Sequence, residues 1–163
     1  MDPSSSVSIR PAGPEDAAFV VDSNVRLARE SEDIALDPDR VRKGVDAVLK
    51  DRAKGFYLIA EVDGQRAGQI LITYEWSDWR NGVFWWIQSV YTVGNYRNRG
   101  VFGALYSHVE SLAQQDGTVC GLRLYVAPDN ERAQAAYRNR GMHNSGYLLF
   151  ERDNVLDRAG SSA

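Results

Sequence analysis

Two short segments carry residue types whose spacing could do chemistry. The first, Tyr96-Arg97-Asn98-Arg99-Gly100-Val101-Phe102-Gly103, joins a long apolar run to a stretch of helical periodicity. A helix start exposes outward-pointing N–H groups and the positive end of the macrodipole, so it attracts anions. Gly100 and Gly103 let a pyrophosphate approach the backbone closely, and Arg97 and Arg99 add fixed positive charge with forked donors. No Lys-Ser/Thr pair follows these glycines, and the third glycine of the dinucleotide pattern is missing, so neither common nucleotide fingerprint is complete. A plain glycine turn with solvated arginines has the same composition.

The second segment runs from Asn130 to Met142. Asp129 or Asn130 can cap a helix there and Gly141 can close it. Ala133, Ala136 and Tyr137 fall on one face. Small alanines on that face admit either a packed neighbour or an extended ligand, with the tyrosine at its boundary.

The elements that position these segments follow from periodicity. Ser8 to Arg10 alternates like a short first strand. Pro14 begins a helix whose apolar positions Ala17, Val20, Val21, Leu27 and Ala28 carry it to about Arg29. Asp37-Pro38 opens a second helix with Val41, Val45, Val48 and Leu49 as its buried stripe. The period then switches to two. Phe56 to Val62 and Ala67 to Tyr74 read as strands joined at Asp63-Gly64, and Asn81-Gly82 turns the chain into a long strand from Val83 to Val93. A helix from Val101 to Gln115, a strand Leu122 to Val126, a helix near Glu131 to Arg140 and a last strand near Gly146 to Glu151 complete the order β-α-α-β-β-β-α-β-α-β. That is a mixed α/β (α+β) fold whose later strand-helix-strand unit requires a parallel pair.

Composition narrows the function classes. The 163 residues correspond to one domain spanning 1–163, with residues 1–6 and 154–163 expected to be loose tails. Nineteen Lys+Arg against 22 Asp+Glu give a net charge of −3, which argues against a nucleic-acid binder. The single cysteine, Cys120, cannot form an internal disulfide and gives no support to a metal cluster. No apolar run approaches bilayer length and the first residues lack a signal-peptide pattern, so the expectation is a cytoplasmic protein without membrane or metal partners.

Taken together, the two chemical segments resemble the GNAT N-acetyltransferase superfamily. Its Arg/Gln-x-x-Gly-x-Gly/Ala loop after a long strand is matched by Arg97-Asn98-Arg99-Gly100-Val101-Phe102, with Phe102 in place of the second small residue and Gly103 one position later. Its downstream Asn-x-x-Ala-x-x-x-Tyr-x-x-x-Gly-Phe is matched by Asn130, Ala133, Tyr137, Gly141 and Met142. The resemblance covers about residues 85–151. It implies acetyl-CoA as co-substrate, held between two splayed strands, Ser89 to Val93 and Leu122 to Val126. The backbone of Asn98, Arg99, Gly100, Val101, Phe102 and Gly103 would take the pyrophosphate beside Arg97. Strand backbone at Val90 and Thr92 would hold the pantetheine arm, with Asn130 and Ala133 along it. An N–H at Val90 or Tyr91 would stabilise an oxyanion, and Tyr137 would act as general acid.

The general base is not fixed by the motifs. The position four residues before Val90, where several family members carry glutamate, is Trp86. Glu75 is the first carboxylate candidate, with Asp78 and Glu30 as others and water as an equal alternative; Gln88 could position that water. The acidic Glu30–Asp33 stretch could draw a cationic amine, and Trp76, Trp79, Trp85 and Trp86 could line an acceptor pocket or, on their hairpin, a homodimer surface. The resemblance implies transfer of an acetyl group to an amine of a small molecule. A protein amine as acceptor, or a non-catalytic acyl-CoA-binding module, remain as alternatives.

Overall fold

Three local devices set the strand order. Asp63 and Gly64 both take positive φ, 51° and 72°, and Asn81 takes 46°, so these turns reverse the chain tightly. At Asp37 the carboxylate accepts from the Asp39 N–H at 3.0 Å while Pro38 fills the first helical position, starting the second helix. In the computed structural model, which describes residues 6–156, these signals produce β1 (Val7–Pro11), α1 (Ala17–Glu32), α2 (Pro38–Lys50), β2 (Phe56–Val62), β3 (Gln65–Ser77), β4 (Gly82–Thr92), α3 (Val101–Gln115), β5 (Val119–Leu124) and α4 (Glu131–Arg138). The five strands form one sheet in the order β1-β2-β3-β4-β5, antiparallel throughout except for the parallel β4–β5 pair. The chain divides into two compact units, one ending at Leu124 and the other beginning at Tyr125.

In the first unit, strand alternation sends opposite sets of side chains to the two faces of the sheet. Tyr57, Ile59 and Leu71 pack against Ala17 and Val20 of α1 and Val45 of α2. The other face takes α3, and the approach is close. A β-carbon on Gly68 would lie 2.8 Å from the Tyr91 carbonyl oxygen and 2.9 Å from a Val101 methyl, so β3 needs glycine where it passes under the start of α3. Asp16, fully buried at the entry to α1, binds Arg10 through both carboxylate oxygens at 2.7 and 2.9 Å and Arg66 at 2.6 Å. It thereby ties β1 and β3 to the start of α1.

Two expectations are corrected. The strand expected over Leu122 to Val126 begins earlier and ends at Leu124, because the parallel ladder runs from Val83 opposite Val119 to Ile87 opposite Leu124 and stops there. Gly146 to Glu151 is not a strand. Its apolar run Tyr147-Leu148-Leu149-Phe150 finds no ladder partner among the described residues, and all four are exposed. Of the tails, residues 1–5 and 157–163 lie outside the described residues.

Candidate active site

The centre of the site is a defect in β4. Gln69 of β3 pairs with Tyr91 and Leu71 pairs with Gln88, so Ser89 and Val90 together face the single residue Ile70. This is a β-bulge, with Ser89 at φ 49° in the left-handed region. A bulge bends its strand, and here the bend coincides with the end of the β4–β5 ladder at Ile87. β4 continues five residues past that last pairing, through Val90, Tyr91 and Thr92. Its N–H and C=O groups on that side are not laddered to β5, which leaves a strand edge able to accept an extended amide-bearing chain. The ladder thus stops at the residue pair before the bulge, and β4 runs on past the end of β5.

Beyond β4 the chain makes a single 3-10 turn, Gly94–Tyr96, and then enters α3. Asn98 and Gly100 both have positive φ, 61° and 78°. Gly100 is the N-cap of α3 and supplies no capping side chain; the first bond into the helix is Ala104 N–H to the Gly100 carbonyl at 3.0 Å. The first-turn N–H groups thus point from a glycine-lined start, the geometry that suits a phosphate. Arg99 lies over the Tyr96 ring at 5.6 Å. Arg97 turns back instead: Nε donates to the Thr92 carbonyl at 3.1 Å, and the guanidinium pairs with Glu30 at the end of α1. Glu30 also accepts from the Tyr91 hydroxyl at 3.0 Å. Hydrogen bonds from Arg97 and then Tyr91 hold the Glu30 carboxyl below its usual range, and burial followed by the bond to Glu30 pushes the Tyr91 phenol up.

The carboxylates weighed from sequence separate clearly. Glu75 pairs across the sheet with Phe84, six positions before Val90, or about 20 Å along the strand at ~3.3 Å per residue. Its carboxylate binds Arg123, whose guanidinium stacks 3.7 Å over the Phe84 ring. Glu75 is thus a partner of Arg123 and is not brought to the bulge as a base would need to be. Asp78 is farther along, in the β3–β4 turn, accepting from the Trp79 N–H. Gln88 donates to the Thr73 hydroxyl at 2.6 Å. Only Glu30 reaches β4 beyond the bulge. Among the tryptophans, Trp85 is core and packs edge-on to Phe56, whereas Trp76 and Trp79 are exposed.

In the second unit, Asn130 is the N-cap of α4, its side chain accepting from the Ala133 N–H at 3.1 Å. Tyr137 lies in the last two turns of that helix, and burial raises its phenol above the usual value, which keeps the hydroxyl protonated at neutral pH.

Sequence reasoning passed over one participant in the first unit. Gln69 is fully buried, and its Nε2 donates to the Ser89 carbonyl at 3.1 Å and to Asn24 Oδ1 at 2.7 Å. The available signal was a lone amide inside the otherwise apolar run Ala67-Gly68-Gln69-Ile70-Leu71-Ile72.

Comparison with known proteins agrees with this geometry. The model of the Acetyltransferase (GNAT) family matches residues 22–142. A possible acetyltransferase from Clostridium difficile 630 is 40% identical, with a TM-score of 0.85 over 91% of this chain and 98% of that one. A predicted acetyltransferase from Clostridium acetobutylicum, solved with acetyl-CoA, is 16% identical with a TM-score of 0.73 over 90% and 96% of the two chains. AAC(6')-Iy, solved in complex with a CoA bisubstrate analogue, is also 16% identical, with a TM-score of 0.73 over 93% and 100%. These last two share the fold. No curated protein matches the chain by sequence. With a bulged β4 that runs on past the end of its parallel neighbour, a glycine-started α3 and a family match over most of its length, the chain belongs to the GNAT acetyltransferase family and is an acyl-CoA-dependent acetyltransferase.

Proposed function

We propose that the chain moves the acetyl group of acetyl-CoA directly to the amine of a small molecule. The observation that carries this reading is the stretch of β4 beyond its last pairing with β5, ending beside the glycine-started α3. Acetyl-CoA supplies an activated thioester carbonyl. The backbone of residues 98–103 holds its pyrophosphate, and Val90 to Thr92 bond its amide-bearing arm as an added strand would. Asn130 and Ala133 contribute further along the arm. The Val90 or Tyr91 N–H receives the carbonyl oxygen as negative charge develops on it. Tyr137 gives its phenolic proton to the departing thiolate.

Glu30 is the acidic group for the acceptor. Ionised by Arg97 and Tyr91, it attracts an ammonium; one proton passes to water before the nitrogen has a lone pair to attack with, and the second, released from the adduct nitrogen, restores the Tyr137 phenol. Arg97 itself sits between two anions once donor is bound, Glu30 and the pyrophosphate. Arg97→Ala is therefore expected to raise the acetyl-CoA KM about tenfold, equivalent to ~1.4 kcal/mol, while kcat stays within about twofold. An unchanged KM would remove Arg97 from donor binding.

The reading is tested by following free thiol with a panel of small primary amines and peptides bearing free N-termini or lysines. Saturable turnover of small amines is expected. Turnover of peptides alone would overturn the small-molecule acceptor, and absence of acetyl-CoA binding would overturn the reading as a whole.

A further inference from the structure

A carboxamide with no apolar reason to be there lies at the centre of the first unit. Gln69 is buried without access to solvent, and burying an amide costs free energy unless it is hydrogen-bonded. Its two donor bonds fix its orientation: the Ser89 carbonyl can only accept, so the NH2 group must face it. The same NH2 group meets Asn24 Oδ1, which turns the Asn24 NH2 toward the Tyr57 hydroxyl at 3.3 Å. Gln69 Oε1 is left buried without a protein partner, as is the hydroxyl of Ser23 next to Asn24. A core selected for stability alone would favour an aliphatic residue at this point, as at Ile70, Leu71 and Ile72. The chain instead carries a costly polar group that donates to one backbone carbonyl, Ser89, and to the side chain of Asn24.

That carbonyl belongs to the bulge residue. Ser89 is held at φ 49°, a left-handed conformation that residues with a side chain rarely adopt. Such strain persists only where the surroundings over-determine it. The next residue is Val90, whose N–H direction follows from the Ser89–Val90 peptide plane, the same plane that contains the Ser89 carbonyl. Fixing that carbonyl therefore fixes the N–H. Gln69 reaches it from β3 and is itself held by Asn24 from α1, so two elements lock the plane.

We infer that Gln69, held by Asn24, is a positioning residue for acetyl transfer: its bond to the Ser89 carbonyl sets the Val90 N–H that receives the oxyanion. It acts through the peptide plane and touches no substrate. The inference rests on the acetyl-transfer reading of β4. Aiming a donor matters most in the transition state, so loss of the bond should reduce kcat more than donor affinity.

The test uses Gln69→Met, close in volume but unable to donate, and Asn24→Ala, which removes the anchor and leaves Gln69 in place. In the protein without ligand, the Val90 amide resonance is expected to shift and broaden in Gln69→Met as its peptide plane samples more than one orientation, with α3 and β2 amides unchanged. In turnover, kcat is expected to fall about 10- to 100-fold and the acetyl-CoA KM to stay within about threefold. Asn24→Ala should show the same pattern at a smaller size, roughly threefold in kcat, and decides the matter if Gln69→Met does not fold. An unchanged Val90 amide resonance together with wild-type kcat in a folded variant would overturn the inference while leaving the acetyltransferase reading intact. Equal losses in kcat and donor affinity would also overturn it, as a general structural role. If the wild-type chain bound no acetyl-CoA, the functional reading would fall, and the Val90 amide resonance would still report whether Gln69 holds the bulge.

Discussion

Tyr137→Phe is expected to lower kcat about 100- to 1,000-fold while the acetyl-CoA KM changes less than about threefold, measured by thiol release at saturating amine. The substitution removes one oxygen from a half-buried ring and leaves the packing area in place. A general acid contributes roughly 10²–10⁴-fold, and a thiolate is a moderate leaving group, so the lower part of that range applies. Burial raises the Tyr137 phenol above its usual value, so the acid form is complete throughout the neutral range. The wild-type rate should rise with pH as the acceptor amine loses its proton and fall only above about pH 10, where a tyrosine ionises. The phenylalanine variant should lose that alkaline decline. A variant that keeps wild-type kcat would show that the thiolate leaves without help from this residue.

The ion cluster under α1 predicts the largest effect on stability. Burial would push the Asp16 carboxyl up, but hydrogen bonds from Arg10, the Gly13 N–H and Arg66 outweigh it and hold the group well below the usual carboxylate range. Asp16→Ala deletes the shared acceptor of two arginines and one backbone N–H. Breaking a buried pair from one side costs about 3–5 kcal/mol. Both guanidinium groups are about one-third exposed and can recover water, so the low end, about 3 kcal/mol, is expected. For a chain of this size that is a fall in Tm of roughly 6–12 °C, read by thermal unfolding. The sign of the pH dependence follows from the depressed value. The Asp16 contribution is fully present above the unfolded carboxyl pKa of about 4, and it is lost as pH falls below that toward the folded value. The wild-type advantage over Asp16→Ala should shrink in that acidic window and stay constant from pH 5 to 8.

How much was legible in the sequence depended on whether the signal was local. The Asp63-Gly64 and Asn81-Gly82 turns, the Asp37-Pro38 cap and the glycine start of α3 are written in adjacent residues, and each appears where its chemistry requires. The family resemblance implied an open edge on β4, but the bulge beside it was not visible. No residue pattern in Gln88-Ser89-Val90 announces a bulge, because the extra residue exists only relative to the register of β3. The surroundings of Glu75 were hidden for the same reason. Its place at the end of a strand suggested cross-strand reach, whereas the register sets it beside Phe84 and Arg123. Gly146 to Glu151 has a strand's apolar run but no partner among the described residues, and pairing is not a property of one segment. Gln69 was readable only as an oddity in an apolar run, and its three-dimensional partners gave it a meaning.

The central claim is that donor binds along β4 beyond the bulge and at the start of α3. Titration of the 15N-labelled protein with acetyl-CoA, followed amide by amide, tests it most directly. The account predicts saturable shifts at Val90, Tyr91 and Thr92 and at Asn98 to Gly103, with the Trp76 to Arg80 turn unmoved. Saturable binding that leaves both of those stretches unshifted would contradict it.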